Sequence, residues 1–386
     1  MSDRDEVVVF PTVEAVPDDL WRTLAADSLY VTPVWTQALA RSRSDVPVVV
    51  VALRGAHGWE AGAAVYLYAG HEPSPTYDPV TRYNWGWNES QKAAARAAPR
   101  AVIGTRNGQI GGIMRRTNGD LHLQTSQLFA AVCEQFSSHV VALQFLEPQL
   151  VPQPVPPGAL SVLADVGVHT PLGGSRDLDE VLRGFSVNAR RQVRADLRTL
   201  DVDPPVTIDS LDELDEHLLL LGTMLANVES RHGNPADAHA LAQYVRHCAA
   251  AADEFRVYLS GPPDAPAAFS LLIVIGREAS VRVVGLDYHQ LDLLGTYHYH
   301  RALMSIPLRD AVRHGARRMD SGVGALDAKL QRGGTPVELT SLVRFPDATE
   351  LTPTAPPPSS TRVEMAARSR ALAAKWRKGE VVAPAH

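Results

Sequence analysis

The order of strands and helices is the feature that most constrains the fold of this chain, because the same order occurs in both halves. The first half has a hairpin pattern, a helix and a further strand, at residues 47–53, 61–67, 124–136 and 140–145. The second half has three strands, a helix and a further strand, at residues 255–260, 267–275, 280–286, 296–314 and 318–320. This order predicts an α/β fold in each half, with a mixed, mostly antiparallel sheet flanked by helices.

The length of 386 residues is enough for two domains, each with its own apolar core. The two element patterns predict domains at residues 1–170 and 171–352. Prolines at 353 and 356–358 then mark a stiff linker, and residues 361–379 have the pattern of a basic amphipathic helix. Residues 353–386 are therefore predicted to form a third segment outside both domains.

Composition and charge argue against several classes of protein. The net charge of −6 argues against a general electrostatic attraction of the chain to nucleic acid or anionic membranes. Cys133 and Cys248 are far apart, which argues against a disulfide framework or a zinc site and is typical of a reducing cytoplasm. His298 and His300 are two residues apart on a predicted helix and face different sides, so no metal site is predicted. We expect neither a signal peptide nor a membrane-spanning segment, and we predict a cytoplasmic protein without a cofactor.

A glycine-rich segment at residues 320–336 places Lys329 among small residues. Glycine lets the backbone approach a ligand closely because it has no side chain in the way, and Gly322, Gly324 and Gly333 are predicted to bind substrate in this manner. Attack of an amine on a carbonyl group builds negative charge on the oxygen, which a fixed cation stabilises. We therefore predict Lys329 as a catalytic residue, with a surface lysine beside a turn as the alternative.

A basic segment upstream predicts a phosphate-binding face. Arg190, Arg194 and Arg198 are spaced at i, i+4 and i+8 and share one side of a predicted helix, with Arg191 beside them. We expect no acidic partner on this face, because Asp196 points elsewhere. Arginine binds phosphate through two parallel hydrogen bonds, so the four arginines are predicted substrate-binding residues. The alternative is a solvated helix face without a ligand.

Carboxylates and phenols at strand ends are candidates for proton transfer. Asp287 and Asp320 end or follow apolar strands, and an attacking amine has to lose a proton to such a group. Tyr297 and Tyr299 are predicted to donate a proton to the leaving atom, and Tyr288 to bind substrate. The alternatives are turn capping for the two carboxylates and core packing for the tyrosines.

Several short motifs together resemble a known superfamily, over roughly residues 175–345. They are a leucine-containing opener with the arginine segment at 178–198, Arg231-His232-Gly233, Gly285-Leu286-Asp287 and the glycine-rich segment that holds Lys329. In this combination the chain resembles the Fem-type and BioF-related branch of the GNAT acyltransferase superfamily. The resemblance implies two tandem GNAT-like domains and amide formation from an activated acyl donor. It also implies that Lys329 serves an anionic intermediate or a phosphate and that His232 binds substrate.

The donor is predicted from a motif that the chain lacks. CoA-dependent members carry a glycine-rich turn whose N–H groups hold pyrophosphate at a helix start. The matching residues, 290–296, keep only Gly295 and have Asp292 where an anion would be repelled, and a second candidate at 109–114 fails at its last position. Since loss of this turn is typical of the Fem-type branch, the resemblance implies aminoacyl-tRNA as the donor and a small-molecule or cell-wall precursor amine as the acceptor. An acyl-CoA-dependent N-acyltransferase and a non-catalytic GNAT-fold binding protein are the alternatives.

Overall fold

The computed structural model describes residues 6–26, 28–42, 46–70, 77–83, 88–104, 110–231, 233 and 236–346. By their contacts these residues form two compact units, unit 1 with residues 6–166 and 337–346, and unit 2 with Gly167–Pro336. Residues 337–346 thus group with unit 1, although the sequence predicts them in the second domain. The boundaries at residues 170 and 352 stay predictions. The predicted linker and basic helix at 353–386, and His232, lie outside the described residues.

Unit 1 is built from short strands and helices. Its first strands are β1 (Glu6–Phe10), β2 (Ala25–Ala26), β3 (Val48–Gly55), β4 (Gly58–Tyr68), β5 (Arg100–Ile103), β6 (Met114–Arg115) and β7 (Val140–Leu146). Its helices are α1 (Asp18–Thr23), α2 (Pro33–Ser42), α3 (Pro79–Arg82), α4 (Glu89–Ala97) and α5 (Leu121–Gln135). Three 3-10 turns lie at Val13–Ala15, Leu29–Val31 and Pro148–Leu150. Strand β8 (Leu160–Pro171) begins in this unit and ends in unit 2.

Unit 2 has longer helices and a second set of strands. The strands are β9 (Val206–Ile208), β10 (Glu254–Ser260), β11 (Ala268–Ile275), β12 (Glu278–Leu286) and β13 (Arg318–Val323). The helices are α6 (Leu178–Arg183), α7 (Val187–Arg198), α8 (Leu211–Arg231), α9 (Ala238–Ala250), α10 (Tyr288–Leu294), α11 (Tyr297–His300), α12 (Ile306–Arg313) and α13 (Leu326–Leu330). A 3-10 turn (Thr199–Asp201) follows α7, and a π turn (Arg301–Ser305) joins α11 to α12. Strand β14 (Thr335–Arg344) then returns the chain to unit 1.

The sheet of unit 1 has the strand order β1-β3-β4-β5-β7-β14. Strands β3 and β4 form the predicted antiparallel hairpin, whereas β5 and β7 are parallel. Helix α5 belongs to the core of this unit, where Leu128 and Val132 are buried together with strand residues such as Val65 and Leu143. Each such apolar side chain contributes about 2 kcal/mol when it leaves water, so this contact stabilises unit 1.

The sheet of unit 2 has the strand order β8-β13-β12-β11-β10-β9 and is antiparallel except between β12 and β13. These two parallel strands pair only as far as Ser280↔Asp320, although β12 continues to Leu286 and β13 to Val323. A bulge in β12 places Arg282 as an extra residue opposite β11. The hydrogen-bonded ladder between β12 and β13 therefore ends well before the strands do.

Each unit has the predicted fold class, an α/β structure with a mixed, mostly antiparallel sheet flanked by helices, so that prediction is confirmed. One helix differs from its prediction, because residues 296–314 are not a single α-helix but contain the π turn. In this turn the buried Arg301 donates hydrogen bonds to Ser260, Thr199 and Asp203. Pro307, the second residue of α12, has no N–H for the helical ladder, so the regular pattern is interrupted here.

Gly222 in α8 provides a test of the packing between α8 and α9. A Cβ atom on Gly222 would lie 2.1 Å from the carbonyl oxygen of Ala238 and 2.9 Å from the Cβ of Ala242. Gly222→Ala is therefore expected to lower the free energy of unfolding by about 2 kcal/mol, although alanine favours helix. Urea unfolding measures this change. Gly70→Ala is the control, because the added Cβ meets nothing within 4 Å, and equal losses in both variants would contradict close helix packing.

Candidate functional site

Asp320 lies at the last paired position between β12 and β13 and is the centre of a buried polar group. Its Oδ1 atom accepts a hydrogen bond from the N–H of Gly322 at 2.9 Å, and its Oδ2 atom accepts one from Ser280 Oγ at 3.4 Å. The Nε2 atom of His169 lies 3.9 Å from Asp320 Oδ1, with both side chains 7% exposed. The structure therefore brings an imidazole to a predicted catalytic carboxylate.

His169 is a residue that the sequence did not point to. It lies on β8 directly opposite Asp320 in the antiparallel register with β13. The two residues are far apart in the sequence, and nothing near His169 has the pattern of a motif. Only the pairing of β8 with β13 shows that they are neighbours. Apolar residues at every second position, Val162, Ala164, Val166 and Val168, are the sequence signal that could have indicated a strand here.

Lys329 occupies the short helix α13 and is buried, so it is neither an open-loop cation nor a surface lysine. Its Nζ atom donates to the carbonyl oxygens of Gly322 at 3.3 Å and Val323 at 3.1 Å. Gly322 has φ of 69° and Gly324 has φ of 75°, which are left-handed values that favour glycine. Lys329 thus binds two carbonyl oxygens of the turn at the end of β13, and Asp320 binds the N–H of Gly322 in the same turn.

We call His169, Ser280, Asp320, Gly322 and Lys329 the junction cluster. Three of its members, Asp320, Gly322 and Lys329, are predicted site residues, and in the structure Asp320 and Lys329 are each hydrogen-bonded to the backbone of Gly322. The cluster combines a carboxylate, an imidazole and an ammonium group in a place with little water. Charges act more strongly there than at the surface, which suits a site where charge develops during a reaction. Their roles in catalysis stay predictions.

Gly333 lies apart from the junction cluster, on the wall of a cavity of about 200 Å³. Its φ is 91°, and a Cβ atom at this position would lie 2.2 Å from the ring of Phe185. The cavity is also lined by Val181, Ala189 and Leu330. The close approach that glycine allows is therefore to a phenylalanine ring of the protein itself, and a role of Gly333 in substrate binding stays a prediction.

The arginine face of α7 differs from its prediction in one respect. Arg191, Arg194 and Arg198 are exposed and Arg190 is partly exposed. An acidic partner is present, however, because Arg194 Nη2 donates to Asp179 Oδ1 at 2.7 Å. Asp179 lies in α6, which precedes α7 and places its carboxylate within reach. The expectation that this face lacks acidic partners is therefore wrong for Arg194.

Asp196 does point away from the arginine face, into the interior of unit 2. Its Oδ2 atom accepts hydrogen bonds from Arg332 Nε at 2.7 Å and from Ser305 Oγ at 2.6 Å. Next to this pair lies His300, whose pKa is lowered to about 4, first by burial and then by the Arg332 cation, while the Asp196 carboxylate opposes the shift. In the described part of the chain, the buried Nδ1 atom of His300 has no hydrogen-bond partner. His300 is thus a neutral imidazole near pH 7.

Tyr288 and Asp287 lie at the end of β12. Asp287 Oδ1 accepts a hydrogen bond from the N–H of Gln290 at 3.0 Å and so caps α10, which is the alternative that the sequence left open. The guanidinium carbon of Arg231 lies 4.4 Å from the centre of the Tyr288 ring. The arginine that precedes His232 in the sequence motif is therefore next to two predicted site residues.

The two remaining tyrosines lie in different surroundings. Burial raises the pKa of Tyr299 to about 12, with the Tyr288 phenol adding to the shift and the Arg332 cation opposing it. Tyr297 is more exposed, and its hydroxyl donates to Asp203 Oδ2 at 3.5 Å. Burial and the Asp203 carboxylate raise the pKa of Tyr297, against the Arg301 cation. Both phenols are protonated near pH 7, so both are able to donate a proton, and their catalytic roles stay predictions.

The segment that matches the pyrophosphate turn of CoA-dependent relatives is mostly helical. Residues 290–294 lie inside α10, and the N–H of Gly295 donates to the carbonyl oxygen of Leu291 at 2.9 Å. An N–H group that is used within the helix is not available to a phosphate. The other candidate turn begins at Gln109, which lies outside the described residues.

Two classes of site are absent from the described ranges. No helix in them is both long enough and apolar enough to cross a bilayer. In the same ranges, no three His, Cys, Asp or Glu side chains are grouped so that they could hold a metal ion.

Comparison with known proteins shows where this fold occurs. The crystal structure of FemX aligns over 88% of this chain and 97% of its own, with a TM-score of 0.55 and 11% sequence identity. This chain has the fold of FemX. A conserved protein of unknown function from Bacteroides thetaiotaomicron aligns over 88% of this chain and 100% of its own, with a TM-score of 0.51 and 12% identity. No family model and no curated protein matches the sequence.

The predicted resemblance to the Fem-type branch of the GNAT superfamily is confirmed at the level of the fold. A looser likeness is found to a tandem GNAT protein from the clavulanic acid biosynthesis pathway, with 12% identity over 88% of this chain and 98% of its own, at a TM-score of 0.47. Identities this low describe the course of the backbone and leave the reaction and its substrates to the residues of the site.

The partly buried imidazole of His300 predicts a pH dependence of stability. The folded-state pKa of about 4 lies below the ordinary value of 6.5, so the unfolded chain takes up a proton first as the pH falls. The free energy of unfolding should therefore decline between about pH 6.5 and pH 4. His300→Gln should make this decline shallower, which urea unfolding at stepped pH measures. His57→Gln removes an exposed imidazole and is the control, and an unchanged slope in H300Q would contradict the assignment.

Proposed function

We propose that this protein is an N-acyltransferase that moves an aminoacyl group from aminoacyl-tRNA to an amine of a small molecule or cell-wall precursor. The observation that carries the proposal is the buried His169–Asp320 pair, which lies where β12 and β13 stop pairing and directly before the turn held by Lys329. The FemX-like fold supports an acyltransferase of the GNAT type.

The junction cluster contains the groups that this reaction needs. The amine nitrogen attacks the acyl carbonyl carbon, a C–N bond forms, and the ester C–O bond to the ribose breaks as the ribose oxygen takes up a proton. The amine releases a proton, which we assign to the His169–Asp320 pair as acceptor, with the carboxylate stabilising the imidazolium that results. The positive charge of Lys329 stabilises negative charge that develops near the turn at Gly322 and Val323.

The proposed donor rests on the surface of α7 and on the form of α10. Arg190, Arg191 and Arg198 carry no described acidic partner, and they place positive charge on one helix surface of a chain whose total charge is −6. Such a local patch suits the phosphates of an RNA backbone, which arginine binds in a bidentate manner. The residues of α10 that replace the pyrophosphate turn disfavour CoA as the donor.

Activity toward the two donors is the direct test. The protein is incubated with a pool of charged tRNAs, or with acyl-CoAs, in the presence of a mixture of amines, and loss of the acyl group from each donor is followed. We expect deacylation of charged tRNA only. Turnover of an acyl-CoA alone would overturn the proposed donor, and no turnover of either would favour a binding protein without catalytic activity.

Asp320→Asn tests the proton-accepting pair in the same assay. The amide keeps the hydrogen bond from Gly322 but neither accepts a proton nor stabilises an imidazolium, so turnover should fall by about two orders of magnitude. Asp327→Asn is the matched control, because Asp327 is exposed in the same segment. Circular dichroism confirms that both variants fold. Near-normal turnover of folded D320N would remove Asp320 from the reaction.

The arginine face predicts how the affinity for tRNA depends on salt concentration. Each phosphate contact that is lost should reduce the slope of log affinity against log salt by about one unit. The triple variant of Arg190, Arg191 and Arg198 to glutamine should therefore lower the slope of tRNA binding by about three units. Arg194→Gln is the control with a smaller expected effect, because Arg194 already pairs with Asp179. Equal slopes for wild type and triple variant would indicate a solvated face.

A further inference from the structure

A second site in unit 2 is an open cleft at the end of β12, separate from the junction cluster. Its volume is about 560 Å³, within the range of small-molecule sites. Six residues line it, three from the last turns of α8 and three from the residues that follow β12, namely Asn227, Ser230, Arg231, Asp287, Tyr288 and His289. We call it the zwitterion cleft, because its lining includes one positive side chain, Arg231, and one negative side chain, Asp287.

Arg231 supplies a cation, and no described residue accepts a hydrogen bond from its guanidinium group. Its guanidinium group lies over the Tyr288 ring, with 4.4 Å between the guanidinium carbon and the ring centre. Contact with the aromatic face fixes the group without using its N–H donors. No carboxylate in the described part of the chain forms an ion pair with Arg231. The planar fork therefore has no acceptor among the described residues, and it matches a carboxylate, which it binds through two parallel hydrogen bonds.

Asp287 supplies an anion in the same cleft. One carboxylate oxygen accepts the hydrogen bond from the N–H of Gln290, and the backbone N–H of Asp287 donates to the carbonyl oxygen of Ala267. The side chain is therefore held in one orientation, while its second oxygen has no partner among the described residues. Asp287 and Arg231 line one cleft but form no ion pair with each other, so each keeps its charge for a ligand.

We infer that this cleft binds a small zwitterion, a molecule with an ammonium group close to a carboxylate, such as an amino acid. The ligand's carboxylate lies on Arg231 and its ammonium group on Asp287, with the Asn227 and Ser230 side chains at the α8 side. A phosphate is disfavoured, because the Asp287 carboxylate would repel it. The role of this molecule as the amine acceptor rests on the proposed function, whereas its binding does not.

Binding without any acyl donor tests the inference. Saturation-transfer NMR at pH 7 on the full chain compares L-alanine with ethylamine and acetate, which each carry only one of its two charges, and phosphorus NMR tests inorganic phosphate. We expect alanine to bind at least about tenfold more tightly than either single-charge probe, because one charge-assisted contact is missing from each. Phosphate should not compete with alanine.

Two variants and a control assign the contacts. Arg231→Gln and Asp287→Asn should each weaken alanine binding by about tenfold or more, and D287N keeps the helix cap because asparagine caps equally well. Arg317→Gln removes an exposed arginine elsewhere in unit 2 and should bind as wild type. Equal binding of alanine and acetate, preference for phosphate, or unchanged binding in R231Q would overturn the inference. Alanine binding without acyl transfer would instead overturn the proposed function alone.

Discussion

The buried ion pair between Asp196 and Arg332 is the interaction on which the arrangement of unit 2 depends. The same carboxylate accepts a hydrogen bond from Ser305 in the π turn, so α7, the π turn and the segment after α13 meet at one group. Loss of one member of such a buried pair costs about 3–5 kcal/mol, because the other charge is then left without a partner. Arg301 adds a second set of bonds from the same π turn to Thr199 and Asp203, which follow α7. The π turn is thus stabilised by Arg301 and Ser305, which it directs toward the interior of unit 2.

The turn at the end of β13 is also held by buried polar side chains. Its N–H at Gly322 is bound by Asp320, and its carbonyl oxygens at Gly322 and Val323 are bound by Lys329. Because a buried backbone group without a partner is costly, these side chains fix the turn at the point where the β12–β13 ladder has ended. The charges that hold the turn are also the charges proposed to act on the substrate. The same residues would therefore serve both the stability of the turn and the reaction.

Charge in this protein is arranged locally rather than globally. The total of −6 would repel a polyanion, yet α7 presents arginines on one surface and the zwitterion cleft presents one charge of each sign. Screening in salt limits the reach of an exposed charge to about 8–10 Å, so a ligand responds to the side chains that it contacts. A donor with many phosphates and a small zwitterionic acceptor are therefore compatible with the same acidic chain.

The sequence by itself determined the fold class, because alternating apolar strands and periodic helices encode which face of each element is buried. It also led to Asp320, Gly322 and Lys329, which are close in the chain and remain close in space. Only the tertiary structure decided that His169 faces Asp320, that Asp179 pairs with Arg194 and that Arg231 lies over Tyr288. These contacts join residues from different elements, and the positions of those elements follow from strand register and buried ion pairs, which no local pattern records. The predictions that depended on neighbours across elements therefore needed the fold.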